Sequence, residues 1–152
     1  MSLSSIVLED IYVMKASVKW IENVRFEAES ESGHKIAIDG PPSAGGENKG
    51  VRPMELVLLG VGGCTSFDVV SILQKSRQKV TDCVAQIDAE RADETPAVFT
   101  RIHFHFVVSG VDLKEKLVKR AIDLSSEKYC SASIMLGKAG VEITHSFEIV
   151  EG

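Results

Sequence analysis

Residues Pro53 to Lys79, PMELVLLGVGGCTSFDVVSILQKSRQK, decide the fold. The fixed φ of proline suits a first helical turn, and the apolar residues after it fall on nearly every face of a helix rather than on one stripe. Such a helix must be covered all round. Gly60, Gly62 and Gly63 each cost on the order of 1 kcal/mol relative to alanine in a helix interior, so close approach by another backbone or a ligand is expected to compensate them. They cluster immediately before Cys64. Met54 to Leu73 does not read as a membrane span, because Glu55 and Asp68 bracket only twelve uncharged residues. A span needs about 20. The segment reads as a buried helix of a soluble protein.

Working outward, the residues before this helix alternate in the manner of strands. Ala16, Val18 and Trp20 share one face, and Phe26 with Ala28 and Ile36 with Ile38 flank a turn at Ser30-Glu31-Ser32-Gly33, an antiparallel meander. From Asp39 to Pro53 the glycines and prolines favour a loop. After the helix, Val84 to Arg91 and Phe99 to Val108 form a strand pair around the turn Asp93-Glu94-Thr95-Pro96. Asp112 stands as an N-cap with Glu115 three residues on, opening a helix whose Leu113, Leu117, Ala121 and Leu124 make its apolar stripe. A short apolar turn, Ser131 to Leu136, is stopped by Gly137 and Gly140. The chain then closes on the alternation of Val141, Ile143, His145, Phe147 and Ile149, a half-buried strand. This order gives an α+β class with helices gathered against an antiparallel sheet.

With 152 residues the chain fits a single domain, 1–152. Apolar residues at 44% and charged residues at 26% are ordinary for a folded protein. A net charge of −5, with cations scattered among acids, excludes the basic footprint that nucleic acid demands. Met1 to Ser5 is small and polar, without a basic stretch before an apolar run, so no export signal is expected. Three cysteines, Cys64, Cys83 and Cys130, are an odd number at wide spacings, unlike a disulfide framework, and fit a reducing cytoplasm.

Cys64 is the first candidate for chemistry. A cysteine inside a buried helix is by default a small hydrophobe, but the glycines leave room beside its sulfur, and Thr65, Ser66 and Asp68 put polar atoms where packing alone would place leucines. Cys130 follows Ser125-Ser126-Glu127-Lys128-Tyr129 and precedes a helical turn whose amides favour a thiolate. Cys83, in Thr81-Asp82-Cys83-Val84 at a strand start, reads as structural. His34, His103, His105 and His145 accompany the cysteines, but no CxxC or HxxxH pair completes a zinc set, so no metal is expected. His145 reads as a hydrogen-bonded core residue. The absence of a phosphate loop or a GxSxG elbow removes nucleotide-dependent and serine-hydrolase chemistry.

Taken together, Pro53-Met54-Glu55-Leu56, Gly62-Gly63-Cys64 and, 66 residues after Cys64, the cysteine of Lys128-Tyr129-Cys130-Ser131-Ala132-Ser133 resemble the OsmC and organic-hydroperoxide-resistance family. The likeness spans about two thirds of the chain. It implies an OsmC-like fold in which antiparallel sheets wrap around two long helices of an intertwined homodimer. It also implies a cysteine-based peroxidase in oxidative-stress defence, whose first cysteine, here Cys64, becomes a sulfenic acid on attacking an organic hydroperoxide. The second, here Cys130, would resolve it as a disulfide, and an external dithiol would reduce that with no bound cofactor. The family's site glutamate follows the proline directly. Here that place is Met54, and the acid is Glu55, rotated about 100° around the helix. For the family's site arginine, Arg25 and Arg52 are both available. The helix sequence is similar to an OsmC-like branch of undefined substrate, so a non-catalytic redox-sensing or small-molecule-binding protein is the alternative.

Overall fold

The structure, a computed structural model, describes residues 13–152; the opening Met1 to Ser5 lies outside the described residues. The chain divides into two compact units, Met1–Glu55 and Leu56–Gly152.

In the first unit, β1 (Ala16–Glu22), β2 (Arg25–Ser30) and β3 (Lys35–Ile38) form an antiparallel meander. The registers set Val18, Ala28 and Ile36 opposite one another, and likewise Trp20, Phe26 and Ile38, so the alternation read in the sequence gathers these apolar residues on one face. The Gly- and Pro-rich loop is organised by Asp39, only 2% exposed, whose carboxylate accepts the backbone N–H groups of Gly40, Glu47 and Lys49 at 2.7, 3.0 and 3.0 Å. These bonds hold its pKa below the ordinary value, the Lys49 N–H most of all. Within that loop lies one 3₁₀ turn, Pro42–Ala44.

α1 spans Pro53–Lys75. It stops one turn short of the expected Lys79 because Arg77 adopts a left-handed φ of 60°, which the helix cannot propagate. Lys79 is instead the first residue of β4. By length and composition α1 could cross a membrane. Within the protein, however, its Val61, Gly62, Thr65, Val69 and Leu73 are buried.

The second unit is built on β4 (Lys79–Arg91), β5 (Phe99–Val111) and β6 (Glu142–Glu151), in the order β4-β5-β6. On β5, Ile102, Phe104, Phe106 and Val108 are fully buried at every second position and form the inner face of the sheet. β4 and β5 are antiparallel, whereas β6 runs parallel to β5, so the sheet is mixed rather than wholly antiparallel. The connection explains this: residues 112–141 carry α2 (Glu115–Leu124) and α3 (Ser131–Lys138), and a helical crossover returns the chain in the direction it left. Asp112 is not the N-cap of α2. It takes a left-handed φ of 52° to turn the chain out of β5, and Lys114 occupies the cap, its N–H bonded to Gln78 Oε1 at 2.9 Å.

Candidate active site

Helical periodicity places the cysteine of α1 at a border. Val61, Thr65, Val69 and Leu73 fall on the buried side, while Leu59 (57% exposed) and Phe67 (75% exposed) lie on the other. Cys64 and Asp68, one turn apart, are both half-buried between the two sides. Of the three glycines before Cys64, Gly62 has the tight neighbour: a Cβ there would meet Ile87 Cδ1 of β4 at 2.5 Å. The close approach that the glycines suggested is made by a side chain of the sheet. Gly60 and Gly63 face open space among the described residues.

Cys130 is delivered by a widened turn. α2 runs on into a π-helical turn, Ser125–Tyr129, closed by the Cys130 N–H donating to the Ser125 carbonyl five residues back at 2.8 Å. Cys130 then leaves helical geometry and caps α3, its Sγ accepting the Ser133 N–H at 3.3 Å. A cysteine thus fills the place usually held by serine, threonine or aspartate.

The result is a compact constellation: Cys64 Sγ, a carboxylate oxygen of Asp68 and Cys130 Sγ all lie within 4.8 Å of one another. All three cysteines are free thiols. The Thr65 hydroxyl donates to the Val61 carbonyl at 2.9 Å and sits 3.2 Å from Cys130 Sγ. Across that contact either the Thr65 hydroxyl or the Cys130 S–H can donate. Burial pushes the Cys130 thiol pKa up, and neighbouring Cys64 adds to the rise, while the Thr65 hydroxyl and Ser133 N–H pull against it. Cys130 therefore rests as a neutral thiol. The Ser125 hydroxyl, fully buried, donates to Asp68 Oδ2 at 3.1 Å and fixes that carboxylate. Beside Asp68 opens a groove of about 380 Å³ whose walls include Phe67, Ile72, Leu124 and Tyr129.

Cys64 and Cys130 are thus brought together, and Thr65 and Asp68, noticed in the sequence as polar intrusions, join them. Ser125 is the residue that sequence reasoning missed; its only signal is its place five residues before Cys130. In the first unit, Glu55 accepts the Arg52 N–H at 2.9 Å, a capping bond at the start of α1. The Arg52 guanidinium bonds Asn48 Oδ1 at 2.6 Å and the Gly50 carbonyl at 3.3 Å, and Arg25 pairs with Glu22 at 2.7 Å. Cys83 sits on β4 opposite Val108, its pKa raised by burial and then by Asp82.

No histidine joins the cluster of Cys64, Asp68 and Cys130 among the described residues. His34 bonds Ser32 at the β2–β3 turn, while His103 and His105 form a polar ladder with Thr144, Ser146 and Glu148 on β6. His145 stacks on Phe104 and Phe106 at ring-centroid distances of 5.5 and 6.3 Å, but its buried Nε2 has no hydrogen-bond partner among the described residues. The expectation of a hydrogen-bonded core histidine is corrected to that extent: the parallel β6 sets its ring against Phe104 and Phe106, which offer it no hydrogen-bond acceptor or donor.

Comparison with known proteins supports the same framework. Residues 46–146 match the OsmC-like protein family model. Protein YhfA of Escherichia coli is 53% identical over 137 residues, covering 90% of this chain and 98% of its own. A hypothetical protein from Aquifex aeolicus, 30% identical, superposes with a TM-score of 0.81 over 93% of this chain and 99% of its own. An organic hydroperoxide resistance protein from Legionella pneumophila, 17% identical, shares the fold with a TM-score of 0.68 over 91% of this chain and 98% of its own.

Proposed function

The chain belongs to the OsmC-like family, and from that premise we propose that it is a cysteine-based thiol peroxidase for organic hydroperoxides, acting in cytoplasmic peroxide defence. The observation that carries the reading is the meeting of Cys64 and Cys130, 66 residues apart in sequence, with both sulfurs inside one 4.8 Å cluster. In the first step the Cys64 thiolate attacks the peroxide oxygen, the O–O bond breaks, and Cys64 becomes a sulfenic acid as the alcohol leaves with a proton. In the second, Cys130 attacks that sulfur, its own proton joins the hydroxyl, and water departs as the disulfide forms. An external dithiol then restores both thiols.

The division of labour follows from access. Cys64 is half-buried, one helical turn from the Asp68 that lines a groove with Phe67, Ile72, Leu124 and Tyr129 among its walls, whereas Cys130 is fully buried with its thiol pKa raised by burial. Glu55 serves as a positioning residue, its capping bond fixing the start of the helix that carries Cys64. The exposed apolar residues Val57, Leu59 and Phe67 on α1 support assembly as a homodimer.

A second reading, redox sensing or small-molecule binding without turnover, is favoured by Met54 in the place of the family's glutamate, with Glu55 engaged in the capping bond from the Arg52 N–H. Loss of cumene hydroperoxide in the presence of a dithiol separates the two. The parent should consume it and Cys64→Ser should not; equal rates would remove the enzymatic reading. One equivalent of hydroperoxide should also give a Cys64–Cys130 disulfide with Cys83 free, mapped by mass spectrometry.

A further inference from the structure

The linear spacing of cysteines and histidines offers no zinc motif, yet folding assembles a ligand set that the spacing conceals. Cys64 and Asp68 stand at i and i+4 on α1, so their side chains project to the same side of the helix. Cys130 approaches from the cap of α3. Their three donor atoms lie within 4.8 Å of one another. Around a tetrahedral zinc, bonds of about 2.3 Å to sulfur and 2.0–2.2 Å to oxygen set donors roughly 3.5–3.8 Å apart, so small side-chain rotations close this cluster onto one ion.

We propose that Cys64, Asp68 and Cys130 bind one thiophilic divalent cation, of which zinc is the best match, in the reduced protein. Two soft thiolates and one carboxylate select zinc over magnesium or calcium, which require all-oxygen shells. The supporting contacts are those of a metal site: the Ser133 N–H already points at Cys130 Sγ, and the buried Ser125 hydroxyl orients the Asp68 carboxylate. Three protein ligands leave the fourth corner open on the side where Cys64 and Asp68 are half-buried, which also gives the ion its way in. Binding releases one proton from each thiol. The same two cysteines are used as in the redox reading, but none of their peroxide chemistry.

The test uses the reduced full chain without peroxide, so its failure is separate from any failure of peroxidase activity. Added Co²⁺ should bind one ion per chain, with thiolate-to-cobalt charge-transfer absorption and the intense visible bands of tetrahedral cobalt, and Zn²⁺ should displace it. Asp68→Asn should weaken zinc, measured against a chromophoric chelator, by at least about tenfold. Cys130→Ser should lose charge-transfer intensity, and Cys83→Ser should leave spectrum and affinity unchanged. Should Cys130→Ser fail to fold, the Asp68→Asn and Cys83→Ser arms decide. The proposal is overturned by a parent without charge-transfer absorption, by unchanged zinc affinity in Asp68→Asn, or by loss of binding in Cys83→Ser.

Discussion

Replacing Thr65 by valine keeps the β-branched shape on α1 and removes a single hydroxyl, the one lying 2.9 Å from the Val61 carbonyl and 3.2 Å from Cys130 Sγ. The folded state should lose little. The Val61 carbonyl retains its helical N–H, and the weak S–H bond leaves a poor donor behind, so the cost should stay within about 0.5–1.5 kcal/mol by urea denaturation. The kinetic effect should be larger. Cys130 must surrender its proton to attack the Cys64 sulfenic acid, and the Thr65 hydroxyl can swing its own proton from Val61 to stabilise the thiolate so formed. Hydrogen bonds to charged groups contribute about 1.5–3 kcal/mol, which corresponds to disulfide closure slowed by roughly 10- to 150-fold. Mass spectrometry of peroxide-treated protein reads the consequence directly: Thr65→Val should accumulate sulfinic and sulfonic acid on Cys64 where the parent forms disulfide. Thr65→Ser, which restores the hydroxyl, should recover most of the closure rate. A valine variant that closes the disulfide as fast as the parent would refute the role given to Thr65.

Further tests address the fold and the assembly. His145→Phe should preserve the stack on Phe104 and Phe106 while removing the unpaired Nε2, and should stabilise the protein by about 1 kcal/mol at neutral pH in thermal or urea unfolding. Burial, and secondarily the charge of His103, holds the His145 pKa below its ordinary value. The unfolded chain therefore binds the extra proton first, and parent stability should fall as pH drops below about 6.5, relative to the variant. A stability difference independent of pH from 7 to about 5 would contradict this. Leu59→Glu should convert a dimer to monomers in sedimentation, since a two-fold interface loses the side chain's burial twice, about 1.5–3 kcal/mol each time; a dimer that persists would place the interface elsewhere. Ser125→Ala should free the Asp68 carboxylate and slow Cys64–Cys130 closure without altering alkylation of Cys83.

How far the sequence could be read depended on whether the deciding interaction was local. The meander, the long helix and the β4–β5 pair were all legible, because alternation, proline placement and turn residues act within a few positions of themselves. The direction of β6 was not, since its alternation is the same whether it pairs parallel or antiparallel; the helical crossover decides. Nor was the end of α1, where a non-glycine residue, Arg77, takes the left-handed conformation that usually advertises itself as glycine. At the site, Cys64 could be singled out by its glycines and Cys130 by resemblance. Residues 125–130, however, read as a helix end and not as the π turn that sets Ser125 against Asp68 and Cys130 at the α3 cap. The i→i−5 bonding that ends with the Cys130 N–H on the Ser125 carbonyl makes that difference, and no composition signals it. The consequence is chemical: an ordinary helix end would bring neither the Cys130 sulfur to Thr65 nor the Ser125 hydroxyl to Asp68, and the two cysteines would share a fold without sharing a site.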